Sequence, residues 1–281
     1  NFVGNAVQLY RPTKDFRVLE ALADGVVGHS PEAVYGFLSQ VQSVVGEVHE
    51  EATCDALGAR LAALLPGATR DVDRRGLRLF LAAVHARAAA VPKADPAQGR
   101  KALEALKVAF DGAFVAGERL LLARHLVALQ PSVPGLAEEQ MRQLLALLAA
   151  SDGGRTERLG LERAVAEVLW ARGRKDDAVD RLAAALAAVR SATDGSLPPE
   201  AQDEYGVLHG WWEHLGRFRV AETRLREDLA IETRSMRREQ LRMRLFRLYG
   251  VALARGGALS LGAHTPLFRA AATELERYLV D

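Results

Sequence analysis

The stretch LGLERAVAEVLWARGRKDDAVDRLAAALAAV, residues 159–189, decides the fold of this protein. Apolar residues recur at helical spacing before Gly173, and a second helical pattern follows that glycine. Ala178 lies five residues after Gly173, and Leu182 lies nine residues after it. A glycine between two such patterns marks a turn. The stretch therefore predicts two antiparallel helices joined at Gly173.

A second stretch, EYGVLHGWWEHLGRFRVAETRLREDLA at residues 204–230, repeats this pattern. Gly216, Ala221 and Leu225 fall at the same offsets as in the first hairpin. A third and weaker copy begins near Ser235. Because a pattern that recurs along a chain indicates a repeat architecture, we expect these hairpins to be neighbours in the fold.

Packing explains why the two hairpins share these residue types. The small side chains of Ala178 and Ala221 let the second helix of each hairpin approach the first closely. The larger Leu182 and Leu225 fill the space towards the next hairpin. One hairpin cannot bury its apolar face alone, so we expect the hairpins to stack.

The spacing resembles that of the tetratricopeptide repeat family. That family places an alanine five residues, a large apolar residue nine residues and often an alanine twelve residues after a small turn residue. Gly173, Ala178, Leu182 and Ala185 match all four positions. The second hairpin matches three of them and departs at the fourth, where Asp228 stands.

This resemblance implies an all-α fold, an α-solenoid of stacked antiparallel helix hairpins. It covers residues 134–281, whereas residues 1–133 predict helix pairs without a named motif. The turn glycines Gly173, Gly216 and Gly256 are 43 and 40 residues apart, against a usual period of about 34. The helices are therefore expected to be longer than usual, as in the tetratricopeptide-like sensor domains of bacterial regulators.

The resemblance also implies which residues bind a partner. In the family, the first helices of the hairpins line the concave side of the superhelix. The register places six residues there: Arg163, Glu167, Trp170, Glu213, His214 and Arg247.

The rest of the chain also has helical periodicity. It predicts helices at about residues 14–27, 31–50, 53–65, 71–88, 96–112, 115–129 and 136–150, and a last helix from Thr265. The proline- and glycine-containing segment at 130–135 is the best candidate for an internal boundary. No stretch alternates with the period of two that a β-strand requires.

Composition and charge exclude several classes of protein. Apolar residues make up 49% and aromatic residues 6% of the chain, and the formal net charge is +1. That balance argues against a general nucleic-acid binder. The single cysteine, Cys54, excludes an internal disulfide framework, and no apolar run is long enough to span a membrane. We expect a cytoplasmic location, and the missing initiator methionine suggests a segment of a longer protein.

The arginine-rich stretch from Arg234 to Arg247 allows two interpretations. It contains six arginines, which could bind an acidic peptide, a phosphate backbone or another subunit. Alternatively, it is the solvated flank of a helix, paired with carboxylates of the preceding helix. Those carboxylates are Glu222, Glu227, Asp228 and Glu232. The balanced net charge favours the second interpretation.

No residue pattern predicts a catalytic, cofactor or metal site. The seven histidines are scattered, and His209 and His214 are spaced so that they diverge on a helix. Asp55 beside Cys54 would raise the pKa of the thiol, which is the wrong direction for a nucleophile. Trp211 and Trp212 point about 100° apart on a helix, so one is expected to pack inside the hairpin and the other at its seam or groove.

Three functions are compatible with the sequence. The first is a non-enzymatic interaction module that binds a protein or peptide on its concave face. The second is the regulatory or sensor arm of a larger enzyme or signalling ATPase, with another domain of the same chain as its partner. The third is a helical enzyme, for which the sequence offers no cluster of titratable residues. We expect the first.

Overall fold

The computed structural model describes residues 33–36, 39, 51–110, 114–115, 117–129, 135–191, 195–256 and 273. All regular secondary structure in these ranges is helical, and none of these residues forms a strand. The all-α prediction is therefore confirmed. Among the same residues, no helix has the length and apolar character needed to cross a membrane.

The chain divides into a first unit, Asn1–Val168, and a second unit, Leu169–Asp281. The helices of the first unit are α1 (Glu51–Leu64), α2 (Asp71–Ala89), α3 (Ala97–Val108), α4 (Glu118–Ala128) and α5 (Leu136–Ala149). Helix α6 (Arg155–Ala171) crosses the division, and the second unit continues with α7 (Lys175–Val189), α8 (Gln202–His214), α9 (Phe218–Ile231) and α10 (Ser235–Gly256). Short 3-10 turns occur at Leu65–Gly67 and Pro199–Ala201.

Helix α2 packs against both α1 and α3 in the first unit. The helical spacing of apolar residues within 71–88 predicts an inward-facing stripe, and all six of its residues are buried: Leu77, Leu79, Phe80, Leu81, Val84 and Ala88. Asp71 and Asp73 lie in its first turn, where carboxylates complement the helix dipole. The predicted start of α3 is also confirmed, because the Asp95 side chain accepts a 2.8 Å hydrogen bond from the amide of Ala97.

The turns at Gly173 and Gly216 have the same backbone structure. Both glycines adopt a left-handed conformation, with φ of 77° and 71°. Arg174 N donates to Leu169 O at 3.0 Å, and Gly173 N donates to Trp170 O at 3.0 Å. The second turn repeats these bonds 43 residues later at 2.8 Å and 3.1 Å. Both turns are Schellman motifs, which need glycine because a side chain disfavours this conformation.

The residues that follow these turns are buried as the repeat pattern predicts. Ala178, Leu182 and Ala221 have no exposed surface, and Leu225 is almost fully buried. In the second unit, α8 packs against α7 and α9, and α10 packs against α9. Replacing a leucine in such a site by alanine typically costs about 2–5 kcal/mol.

Some predicted helix ends differ from the structure. The helix expected from residue 115 begins at Glu118, because Gly117 adopts a left-handed conformation with φ of 77°. The apolar pattern within residues 96–112 predicts that Val108 faces inward, but Val108 lies at the end of α3 and is exposed. The helices predicted at 14–27 and from Thr265, most of the one at 31–50, and the boundary at 133/134 lie outside the described residues or at their edge.

Candidate functional site

Two of the six predicted partner-binding residues, Arg163 and Glu167, lie on α6 in the first unit. Arg163 Nε donates a 2.9 Å hydrogen bond to Glu167 Oε1. Each side chain is about one third exposed. An i, i+4 pair of this kind contributes a few tenths of a kcal/mol to helix stability.

Trp170, on the last turn of α6, is the centre of an aromatic cluster in the second unit. Its ring stacks on that of Trp211 with centroids 4.7 Å apart and planes 8° apart. The imidazole of His214 meets it edge-on at 5.3 Å. Lys175 Nζ lies 5.3 Å from the Trp170 ring centroid and 2.9 Å from His214 Nε2, which is within hydrogen-bond distance.

Glu213 extends this cluster towards α10. Its carboxylate lies 3.7 Å from the guanidinium group of Arg247, whose side chain is 73% exposed. The structure thus brings four of the predicted residues onto neighbouring positions from three helices. We call the following set the tryptophan surface: Trp170, Lys175, Trp211, Glu213, His214 and Arg247.

The expectation that the two adjacent tryptophans face different environments is confirmed. Trp212 is buried within the hairpin, whereas Trp211 is half-buried against Trp170. Large apolar side chains of α10 are also exposed beside Arg247. Met243 is 52% and Phe246 is 45% exposed. One turn of α10 therefore presents apolar and basic groups together.

The arginine-rich stretch binds the end of the preceding helix. Arg234 pairs with Glu232 at 2.8 Å, and Arg237 lies 3.9 Å from the same carboxylate. Hydrogen bonds from Arg234 lower the pKa of Glu232 to about 2. Arg238 donates to the backbone oxygen of Glu232 at 3.0 Å. The predicted pairing is confirmed for Glu232, whereas Glu222 binds Arg226.

Sequence reasoning missed a buried polar network at Asp228. The Tyr205 hydroxyl donates to Asp228, and Arg190 Nη1 lies 2.8 Å from the other carboxylate oxygen. Burial, followed by the Asp228 charge, raises the pKa of the Tyr205 hydroxyl. The available signal was the repeat itself, because Asp228 stands where the pattern has the small apolar Ala185.

His209 packs beside this network. Its ring lies 4.4 Å from that of Tyr205 and 4.9 Å from that of Trp212. Burial lowers the pKa of His209 to about 3, so the imidazole is neutral at physiological pH. Its packing is that of a core histidine.

A cleft of about 490 Å³ opens above the network, between α7, α8 and α9. Its apolar lining includes Leu186, Leu208 and Trp212. Arginines also line it: Arg190, Arg219 and Arg224. No sequence pattern indicates this cleft, because its lining comes from positions up to 44 residues apart on three helices.

The first unit contains a similar network, and its ion pair has no exposure to solvent. The Tyr35 hydroxyl donates to Glu118 Oε1 at 2.8 Å. Arg75 pairs with the same carboxylate, and both side chains are fully buried. His125 Nε2 lies 3.0 Å from the backbone oxygen of Tyr35, and burial lowers the pKa of His125 to about 4.

Cys54 and His85 have the surroundings of residues that pack in the protein interior rather than of reactive groups. Cys54 is buried, and burial raises the pKa of its thiol. His85 Nδ1 lies 2.9 Å from Gln98 Oε1. Among the described residues, no group of three or more histidine, cysteine, aspartate or glutamate side chains could hold a metal ion.

Comparison with known proteins does not assign the chain to a family: no family model, no curated protein and no solved structure matches it.

Proposed function

We propose that this protein is a non-enzymatic interaction module, a tetratricopeptide-like stack that binds a peptide or a partner domain through its first helices. One observation supports this most. Repeat register alone predicts Trp170, Glu213, His214 and Arg247 as binding residues, and in the second unit they form two contacts: Trp170 with His214 and Glu213 with Arg247. In the register of the repeat pattern, α6, α8 and α10 correspond to the first helices of successive hairpins.

The tryptophan surface has the composition of a protein-binding site. Tryptophan and arginine are enriched among residues that dominate binding energy. Trp170 and Trp211 stack on each other but remain partly exposed, so an incoming side chain can pack on them without a rearrangement of the core. A preformed aromatic platform binds with little loss of side-chain entropy.

The charges around the tryptophans define the partner further. Lys175 and Arg247 are positive, Glu213 is negative, and Arg247 points largely into solvent. A peptide that combines an apolar side chain with a flanking carboxylate fits this arrangement. Exposed Met243 and Phe246 extend the apolar surface along α10.

Substitution of the surface tests the proposal. Trp170→Ala and Arg247→Glu should each weaken partner binding by about 30-fold, the effect of losing a residue worth about 2 kcal/mol. Partners captured by the wild-type chain are identified first, and their affinities for each purified variant are then measured by calorimetry. Far-UV circular dichroism should show unchanged helical content.

Arg219→Glu serves as the matched control, because it reverses an arginine charge in the same unit away from the tryptophan surface. A partner should bind this variant as tightly as wild type. If Trp170→Ala and Arg247→Glu both retain wild-type affinity for every captured protein, the proposal is wrong.

A further inference from the structure

The cleft between α7, α8 and α9 has the size of a ligand site. Its volume is about 490 Å³, within the range of about 300–1,000 Å³ typical of small-molecule sites. Leu186, Leu208 and Trp212 supply apolar surface, and two of them are on α8, which packs against both neighbouring helices. The apolar part of a ligand that enters the cleft would therefore be removed from water.

The charges of the lining are not balanced. Arg190, Arg219 and Arg224 contribute three guanidinium groups. Two carboxylates face them, since Asp228 binds Arg190 at 2.8 Å and Glu227 binds Arg224 at 3.0 Å. Arg219 forms neither a hydrogen bond nor an ion pair with the described part of the chain. One positive charge at the cleft therefore has no counterion among the described residues.

Two charged side chains at the cleft, Arg190 and Asp228, are held in place by contacts within the protein. Arg190 Nη1 donates to Gly195 O at 2.8 Å and is also bound to Asp228. Asp228 accepts a hydrogen bond from the hydroxyl group of the buried Tyr205. Because these contacts fix Arg190 and Asp228, the positive charge available to a ligand is that of Arg219. A preorganised wall of this kind lowers the entropic cost of binding.

We propose that this cleft binds a small organic carboxylate with an apolar body, whose carboxylate pairs with Arg219. An arginine guanidinium group matches the geometry of a carboxylate through two parallel N–H donors. The apolar body lies against Leu208 and Trp212. The site is separate from the tryptophan surface, and the proposal does not depend on it.

Naphthoate and its uncharged isostere naphthamide test this proposal by isothermal titration calorimetry on the whole chain. The two probes share a shape and differ in charge. We expect naphthoate to bind at least about tenfold more tightly than naphthamide, since a hydrogen bond to a charged group contributes at least that ratio. Arg219→Ala should reduce naphthoate affinity to that of naphthamide.

Two further variants test whether the probes bind in the cleft and whether the effect of an arginine depends on its position. Ala187→Phe places a ring in the cleft and should abolish binding of both probes. Arg174→Ala removes an exposed arginine that binds Asp177 and does not line the cleft, so it should leave both affinities unchanged. Far-UV circular dichroism checks that each variant is folded.

Three results would overturn the proposal. The first is the absence of naphthoate binding to the wild-type chain. The second is equal affinity for naphthoate and naphthamide. The third is naphthoate binding that persists unchanged in Arg219→Ala or in Ala187→Phe. Loss of naphthoate binding in Arg247→Glu, a variant of the tryptophan surface, would also contradict the separation of the two sites.

Discussion

The buried polar networks of the two units use the same parts in different surroundings. In the first unit, Tyr35 donates to Glu118, which also pairs with Arg75. In the second unit, Tyr205 donates to Asp228, which also pairs with Arg190. Each tyrosine packs beside a buried histidine whose pKa is lowered by burial.

The networks differ in their access to solvent. Arg75 and Glu118 have no exposed surface. Arg190 and Asp228 retain 13% and 8% exposure, and Arg190 lines the cleft. Taking a charged pair wholly out of water costs several kcal/mol per ion before any attraction is counted. The first network is therefore a sealed structural element, whereas the second is built into the wall of an open cleft.

Removal of one charge from each pair should show this difference most strongly. Arg75→Met leaves the buried Glu118 carboxyl group without its ion-pair partner, and we expect a loss of about 3–5 kcal/mol in the free energy of unfolding. Arg190→Met leaves Asp228 with Tyr205 and with Arg224 at 3.7 Å. We expect that variant to lose about 1–3 kcal/mol. Urea titration followed by far-UV circular dichroism measures both losses.

A double substitution provides the control for the sealed pair. Glu118→Gln in the Arg75→Met background removes the uncompensated charge but keeps an oxygen that accepts the Tyr35 hydroxyl. It should recover part of the lost stability. Equal losses in Arg75→Met and Arg190→Met would show that solvent access does not distinguish the networks.

Acid should destabilise both networks through their histidines. Burial lowers the pKa of His209 to about 3 and that of His125 to about 4, whereas an unfolded histidine has a pKa of about 6.5. Below that value the unfolded chain binds more protons than the folded chain, so stability falls as the pH falls towards the folded-state pKa. Each histidine should account for a loss of about 2 kcal/mol between about pH 7 and about pH 5.

His209→Phe isolates the contribution of the second network. His209 Nε2 has no hydrogen-bond partner among the described residues. Phenylalanine can therefore replace the imidazole without removing a hydrogen bond that Nε2 makes to one of them. The charged side chains that act on this imidazole are Arg244, Asp228 and Arg224, and all three remain in the variant. Urea titrations at both pH values should show a smaller acid-induced loss than in wild type. An unchanged loss would mean that His209 is not neutral in the folded chain.

Removal of the two tyrosine hydroxyl groups should give the smallest difference in stability loss between the networks. Tyr35→Phe removes a donor from a carboxylate without solvent access, and we expect a loss of about 2 kcal/mol. Tyr205→Phe should cost about 1 kcal/mol, because Asp228 keeps Arg190 and some exposure. Thermal unfolding measured by calorimetry compares the two. A larger loss for Tyr205→Phe would reverse the proposed order of the networks.

The turns and the packing residues could be predicted because their determinants are local. Gly173, Ala178 and Leu182 lie within ten residues of one another, and the same offsets recur at Gly216. Such spacings fix which residues share a helix face before the tertiary structure is known. The start of α3 at Asp95 was visible for the same reason.

The polar networks and the cleft could not be predicted in this way. Tyr35 and Glu118 are 83 residues apart, and Arg190 and Asp228 are 38 apart. Periodicity shows that a position is buried, but it does not show which distant side chain will satisfy a buried polar atom. Only Asp228 gave a local sign, as a carboxylate at a position where the repeat has alanine. The six partner-binding residues came from register, and their role in binding remains a prediction.

The stacked tryptophans also make the second unit optically distinct. The chain has three tryptophans, at positions 170, 211 and 212, and all of them belong to that unit. Intrinsic indole emission therefore reports on the second unit alone, without an attached dye. Because Trp170 lies 4.7 Å from Trp211, any event that separates the two rings changes that emission directly.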